Sequence, residues 1–376
     1  MNAQYGEKVS RVVFTGDVFF GGVLEQKTVA IDFSSLTYDR LVINLEQSIY
    51  SDTRAHKGTL LSSEEALESG IKKLKPTHAG LANNHIHDGG LTRIADLKTK
   101  LESLGVVGFG AGRNKTSAET PVQLNGNLWL LGCCAVNKPT LNDIAVATSE
   151  LPGLMAAEYE QLATVLEEHN GKDFIIYVHW SEEHIMLPHP YTRELAKRLL
   201  KHENVTAVIG MHPHIILPKE LFYGKPVFYS LGNFLFPDFI IEPPTQLSKS
   251  THYVSKTRSY HKVNTLTLKT WPLRNRTSLV LVFDSETLVF TESIFKQSLD
   301  STIVAPAGRL LCSWVKFKYK LQSVLLYVLP NTGLYRGLYS ALRRSTLLFR
   351  WSYIAFKLTG QFGVKHVCQK LKNMIR

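Results

Sequence analysis

From residue 10 to about residue 236, short apolar runs alternate with longer stretches in which apolar residues recur every three or four positions. Val12-Val13-Phe14, Leu41-Val42-Ile43, Phe174-Ile175-Ile176-Tyr177-Val178, Val205-Thr206-Ala207-Val208-Ile209 and Val227-Phe228-Tyr229 read as buried strands. Between such runs the spacing predicts helices over 63–75, 90–104, 156–169 and 191–202, the second with Ile94, Leu97, Leu101 and Leu104 on one face. Asn125-Gly126 is a tight-turn signal joining 122–124 to 128–131, and Asp284-Ser285-Glu286 joins 279–283 to 287–294 in a second hairpin. Crossover helices together with antiparallel pairing predict a layered α/β sandwich over 10–300 rather than a purely parallel sheet.

Two segments depart from this rhythm. Residues 237–278 contain Pro243-Pro244, several Ser and Thr, and Lys249, Lys256, Arg258, Lys262, Lys269, Arg274 and Arg276. They read as a long basic insertion before the last hairpin, of the length that is usually functional or disordered. Residues 301–376 read as a helical extension. In 306–329, Leu310, Trp314, Leu321, Leu325 and Val328 fall on one side of a helix and Arg309, Lys316 and Lys320 on the other, with Pro330 and Gly333 as the stop. A second helical stretch follows over 334–358, where Arg336, Arg343, Arg344 and Arg350 are interspersed with aromatic and aliphatic residues.

Charge separates the same two parts. Residues 1–300 hold 30 Lys/Arg against 32 Asp/Glu, whereas 301–376 hold 13 Lys/Arg and no acidic residue, so the formal +11 of the 376-residue chain resides in the extension. Three readings of that extension compete: an amphipathic basic helix on an anionic membrane surface, helices packed on the body or on a dimer partner, and nucleic-acid binding, for which no recognised module is present. The first ten residues carry no apolar signal-peptide core, and no run of about 18 uncharged apolar residues occurs. Cys133, Cys134, Cys312 and Cys368 show no disulfide or metal spacing. The expectation is a cytoplasmic protein, peripheral on the inner face of the cell membrane.

The candidate chemistry lies at the ends of the apolar runs. Asp17, Asn44 and Glu46, Asn83-Asn84-His85 with Asp88, His179, His212 and His214, and Asn233 follow them in order. Strands packed side by side bring such ends to one rim. Two cations about 3.5–4 Å apart can there clamp a phosphoryl group and a bridging hydroxide. Asp17 and Glu46 supply carboxylates, one of which can bridge; Asn84 supplies a neutral oxygen; His179, His212 and His214 supply imidazoles. Mixed imidazole and carboxylate donors suit one or two ions of Mn, Fe or Zn. His85 is the candidate acid for the leaving group, with Asp88 orienting it. Pro213 favours an extended His212, which would aim His212 and His214 the same way.

The segments FTGDV, INLEQS, GLANNHIHDGGL, GFGAGRN, YVHWSEEH, IGMHPHIILPKE and FYSLGNFLF resemble the CapA family of capsule or poly-γ-glutamate synthesis proteins, over roughly 10–236. That resemblance implies the calcineurin-like metallophosphoesterase fold, a sandwich of two mixed sheets flanked by helices, and a phosphoesterase-like metal centre. It implies ligand positions at Asp17, Glu46, Asn84, His179, His212 and His214, and the catalytic histidine at His85. Many metallophosphoesterases carry Asp-x-His in the first block; here Val18 and Phe19 follow Asp17. The expected function is metal-dependent hydrolysis in capsule or surface-polysaccharide biosynthesis, on a phosphorylated or polyanionic glycan or a lipid-linked precursor. The alternative is a non-catalytic assembly factor of a membrane-associated polymer-synthesis complex.

Overall fold

Two sheets meet face to face, and the period-two alternation of their strands decides which side chains lie between them. The computed structural model describes residues 10–51, 59–135, 144–241 and 267–362. Among these, one nine-stranded sheet runs in the order Ala30–Ile31, Ile303–Pro306, Val289–Gln297, Thr277–Asp284, Arg11–Val18, Arg40–Leu45, His78–Gly80 and Val107–Phe109, with Asn233–Leu235 added against Arg11–Val18. A six-stranded sheet runs Ile216–Phe222, Lys225–Leu231, Val205–Met211, Asp173–His179, Leu128–Cys134 and Val122–Asn125. Val12, Phe14 and Val42 from the first sheet pack with Ile175, Tyr177, Ile209 and Phe228 from the second. The alternate residues Val13, Leu41 and Ile43 face the helices Glu64–Leu74 and Thr92–Ser103. On the far side, Ile176, Val178 and Val208 face Tyr159–Glu168 and Pro190–Leu199. The order helix, sheet, sheet, helix is the metallophosphoesterase-like sandwich that the resemblance implies.

The four predicted helices and both hairpins form. Ser63 caps the first helix by accepting from Ala66 N at 3.0 Å, and Pro190 opens the fourth. Leu128–Cys134 pairs antiparallel with Val122–Asn125 across the Asn-Gly turn, and Thr277–Asp284 pairs antiparallel with Val289–Gln297. Of the basic insertion, 242–266 lie outside the described residues. Its ends pair as a short ribbon, Phe239–Ile241 with Thr267–Lys269. Arg276 is not a surface charge as expected from composition. It is buried, with its guanidinium 2.6 Å from Asp238 Oδ1 and donating to Trp271 O and Ser298 O at 3.0 Å. A guanidinium holding a loop closed in this way is tied to structure and is not offered to a ligand.

The C-terminal extension is built into the body. Ile303–Pro306 is a strand of the large sheet, and the helix Arg309–Val328 lies along the outer strand Ile216–Phe222 of the small one. Ser323 Oγ accepts from Lys219 N at 3.2 Å, satisfying a donor on that sheet edge. The structure settles which side of this helix faces the protein, a point the sequence leaves open. Val315, Tyr319 and Leu326 face the protein, while Leu310, Trp314, Leu321 and Val328 are exposed. Gly333, expected as a stop, opens the next helix, Gly333–Phe362. Among the described residues no helix is long and apolar enough to cross a membrane. Cys133 and Cys134 are buried and Cys312 is half-buried, and Cys368 lies outside the described residues.

His78 is expected to make the fold pH-sensitive. It is buried in the large sheet, and its Nε2–H donates to Gln123 O at 3.1 Å. Burial, opposed by that hydrogen bond and aided by the charge on Arg40, pushes its pKa down to about 4. Because the folded pKa lies below the unfolded value, the unfolded chain binds more protons as pH falls from about 6.5 to about 4, and stability declines over that window. The stability difference between wild type and His78→Gln is expected to move toward the variant by about 2 kcal/mol between about pH 7 and about pH 5. Urea unfolding at both pH values measures it, and an unchanged difference would reject the assignment.

Candidate metal centre

The parallel strands Arg11–Val18 and Arg40–Leu45 of one sheet, and Asp173–His179 and Val205–Met211 of the other, end at a common rim. Asp17 lies beside Asn44 on one side and Asn233 on the other. The approach of the Asn233–Leu235 strand requires glycine: a Cβ at Gly16 would stand 1.8 Å from Gly232 O, and Gly232 itself has φ +74°. This contact brings Asp17 N within 2.9 Å of Gly232 O and sets Asp17 at the centre of the rim.

The predicted donors converge. Asp17, Glu46 and His179 offer atoms within 4.8 Å of one another, as do Glu46, His212 and His214, and all are buried. Glu46 belongs to both groups, so of the two carboxylates it is the shared one. Its Oε1 lies 3.7 Å from His179 Nε2 and 3.7 Å from His214 Nε2. Asn84 Oδ1 lies 2.7 Å from His179 Nε2, directing the amide oxygen to the same point. Buried carboxylates and imidazoles grouped in this way could hold a metal ion.

The neighbouring asparagines orient these donors. Asn44 Nδ2 donates to Asp17 Oδ1 at 2.8 Å and lies 3.4 Å from His179 Nδ1, holding both groups with one amide. Asn233 Oδ1 accepts from His214 Nδ1–H at 2.8 Å, which leaves the Nε2 lone pair facing Glu46. Asn83 shapes the backbone: its amide donates to Leu45 O at 2.8 Å and its Oδ1 accepts from His85 N at 3.1 Å. His85 Nδ1 lies 2.6 Å from Asp88 Oδ2, so its Nε2 points into the site, 3.9 Å from Glu46 Oε1. Asp88 is in turn held by Leu60 N at 2.7 Å. Beneath the site, burial and then the charge of Asp17 raise the Tyr177 pKa, so the phenol stays neutral and donates to Thr15 O at 3.2 Å.

One local expectation fails. His212 and His214 are not in an extended segment; their φ values are 97° and 56°. With Ser181 at 72° and His184 at 65°, four of the eight non-glycine residues with positive φ among the described residues border the site. Such conformations cost about 1–3 kcal/mol each and persist where surrounding contacts over-determine them. The position of the Asp-x-His histidine is filled by Phe19, buried in an apolar cluster with Leu60, Phe236, Phe239 and Trp271. Three neighbours were not anticipated as site residues. His184 is buried with its ring 6.2 Å from that of His214, Trp271 lies 5.2 Å from His214, and Asn275 Nδ2 donates to His214 O at 2.8 Å. His184 closes the YVHWSEEH segment, whereas Trp271 and Asn275 sit in the segment read as a long basic insertion.

Fold and donor set together define a layered α/β protein with a candidate metal centre at the rim between its sheets. The chain belongs to the family described as bacterial capsule synthesis protein PGA_cap, whose model matches residues 11–238. It is 26% identical over 254 residues to the PGA biosynthesis protein CapA of Bacillus subtilis, covering 62% of this chain and 64% of that protein. To the capsule biosynthesis protein CapA of Bacillus anthracis it is 26% identical over 211 residues, 54% of this chain and 50% of the relative. A probable polyglutamine synthesis accessory protein of Mycobacterium tuberculosis is 23% identical over 209 residues, 52% of this chain and 55% of its own. The chain thus spans between 50% and 64% of the length of these curated relatives. The family match contains every predicted site residue and stops before Trp271, Asn275 and the helical extension.

Proposed function

We propose that this chain is a metal-dependent hydrolase, phosphoesterase-like in chemistry, that acts on an anionic capsule polymer or its phosphorylated or lipid-linked precursor. The carrying observation is that Glu46 is shared by two buried donor groups while His85, backed by Asp88, faces the same carboxylate. A bound divalent ion would supply charge to the scissile group and lower the pKa of its water. The protein's own part is to hold that reaction in place. Asn44 and Asn233 fix the donors; Asp88 keeps the His85 proton on Nδ1 so that Nε2 exchanges a proton with the leaving group. Lys269, 4.4 Å over the Trp271 ring, places a cation next to the aromatic neighbour of His214 and suits an anionic substrate. The names of the relatives point to capsule and polyamino-acid polymers, which widens the reading beyond polysaccharide alone.

His85→Ala is expected to lower kcat on a chromogenic phosphoester about 10²–10⁴-fold while leaving bound metal unchanged. Elemental analysis with p-nitrophenyl and bis-p-nitrophenyl phosphate assays under Mn, Fe and Zn tests both halves. Retained turnover in the variant rejects the acid role. A second reading is a non-catalytic assembly factor, favoured by Phe19 standing where a histidine donor is expected. A wild-type protein that is metal-free and inert establishes that reading and overturns the first.

A further inference from the structure

The outer face of the Arg309–Val328 helix presents an apolar stripe that is exposed among the described residues. Leu310, Trp314, Phe317, Leu321, Val324 and Val328 are between 50% and 89% exposed. Their spacing of four, three, four, three and four residues keeps them within about 80° of arc on an α-helix. The opposite face, at Val315, Tyr319 and Leu326, packs on the two cores. Exposed Arg309, Lys316 and Lys320 border it on one side and half-buried Lys318 on the other. No acidic residue occurs from 301 to 376.

We infer that this stripe docks on an anionic lipid bilayer, the helix lying in the plane of the headgroups with Trp314 and Phe317 inserted and its basic flanks on lipid phosphate. The inference is independent of the hydrolase reading, since none of these residues touches the metal centre. Charge selects the occupant. A strict four-three repeat also suits a partner helix, but a second copy would set Lys318 and Lys320 against like charges at the seam and bring together two segments devoid of carboxylates. A bilayer rich in phosphatidylglycerol offers the opposite charge, and an apolar face rimmed by lysine and carrying tryptophan matches its depth profile.

The test uses the full-length protein and sedimentation with vesicles of phosphatidylcholine alone or with about one third phosphatidylglycerol. Wild type is expected to sediment with the anionic vesicles, to fail with the neutral ones, and to lose most binding at about 0.5 M salt. The variant Trp314→Glu/Phe317→Glu/Leu321→Glu, whose changes lie on exposed side chains, is expected to bind about tenfold or more weakly. Lys316→Ala/Lys320→Ala, which removes charge without altering the stripe, is expected to bind about tenfold or more weakly to the anionic vesicles. Wild type that ignores anionic vesicles, or variants that bind like wild type, overturn the inference. So does sedimentation velocity showing a dimer that the triple variant dissolves without any vesicle binding.

Discussion

Glu46→Gln is expected to purify as a folded protein with at most about one tenth of the wild-type metal and no measurable phosphoester turnover. Glu46 is the common member of both donor groups, so one substitution weakens each of them. His212→Ala removes a donor from one group only; it is expected to lose activity and to lower bound metal while keeping part of it. Stability separates a metal role from a packing role. Asp17 and Glu46 are both fully buried carboxylates beside one another, an arrangement that repels itself without a cation between them. Chelation is therefore expected to lower the wild-type thermal midpoint and to leave Glu46→Gln unmoved. Wild-type metal content in Glu46→Gln, measured by elemental analysis, would remove the basis of the proposed site.

The largest expected loss of stability comes from Arg193→Ala, about 3–5 kcal/mol in urea unfolding. Arg193 is 3% exposed and joins the fourth helix, the small sheet and the extension. Its Nε donates to Glu220 Oε2 at 2.8 Å, and its terminal nitrogens donate to Leu329 O at 2.9 Å and Leu326 O at 3.0 Å. The guanidinium also stacks 4.2 Å over Tyr335. Burial works against its charge, yet the bonds to Glu220 prevail and raise its pKa. Alanine leaves Glu220 buried with Tyr229 at 2.6 Å but without its cation, and leaves two helix-terminal carbonyls without that donor. Arg198, five residues along the same helix and 46% exposed in its pair with Glu160, is the control: Arg198→Ala is expected to cost less than about 1 kcal/mol. Equal effects at both positions would show that the extension is not anchored through Arg193.

The body was legible because its pattern is local. Strands Arg11–Val18 and Asp173–His179 are written as continuous apolar runs since both faces are covered, and the helices repeat at their own period. The site was legible because each donor follows directly on a strand end, and parallel strands carry their ends to one edge. The misreadings fall where a residue's partner is distant in sequence. In the sequence Arg276 is one cation among many, and only the fold sets its guanidinium 2.6 Å from Asp238. Pro213 predicts an extended neighbour, yet His212 and His214 both stand at positive φ, with His212 N 3.4 Å from Asp17 Oδ2 and His214 Nδ1 2.8 Å from Asn233 Oδ1.

The amino-acid order by itself determined the alternation of elements, the ordered set of donors and the segregation of positive charge into residues 301–376, because each is a property of neighbours along the chain. Tertiary structure alone decided that Glu46 is the shared carboxylate, that His184, Trp271 and Asn275 join the site, and which face of the Arg309–Val328 helix is left to solvent. An amphipathic helix states that it has two faces. Which one is buried depends on the sheet edge it meets, here Ile216–Phe222, more than eighty residues earlier in the chain.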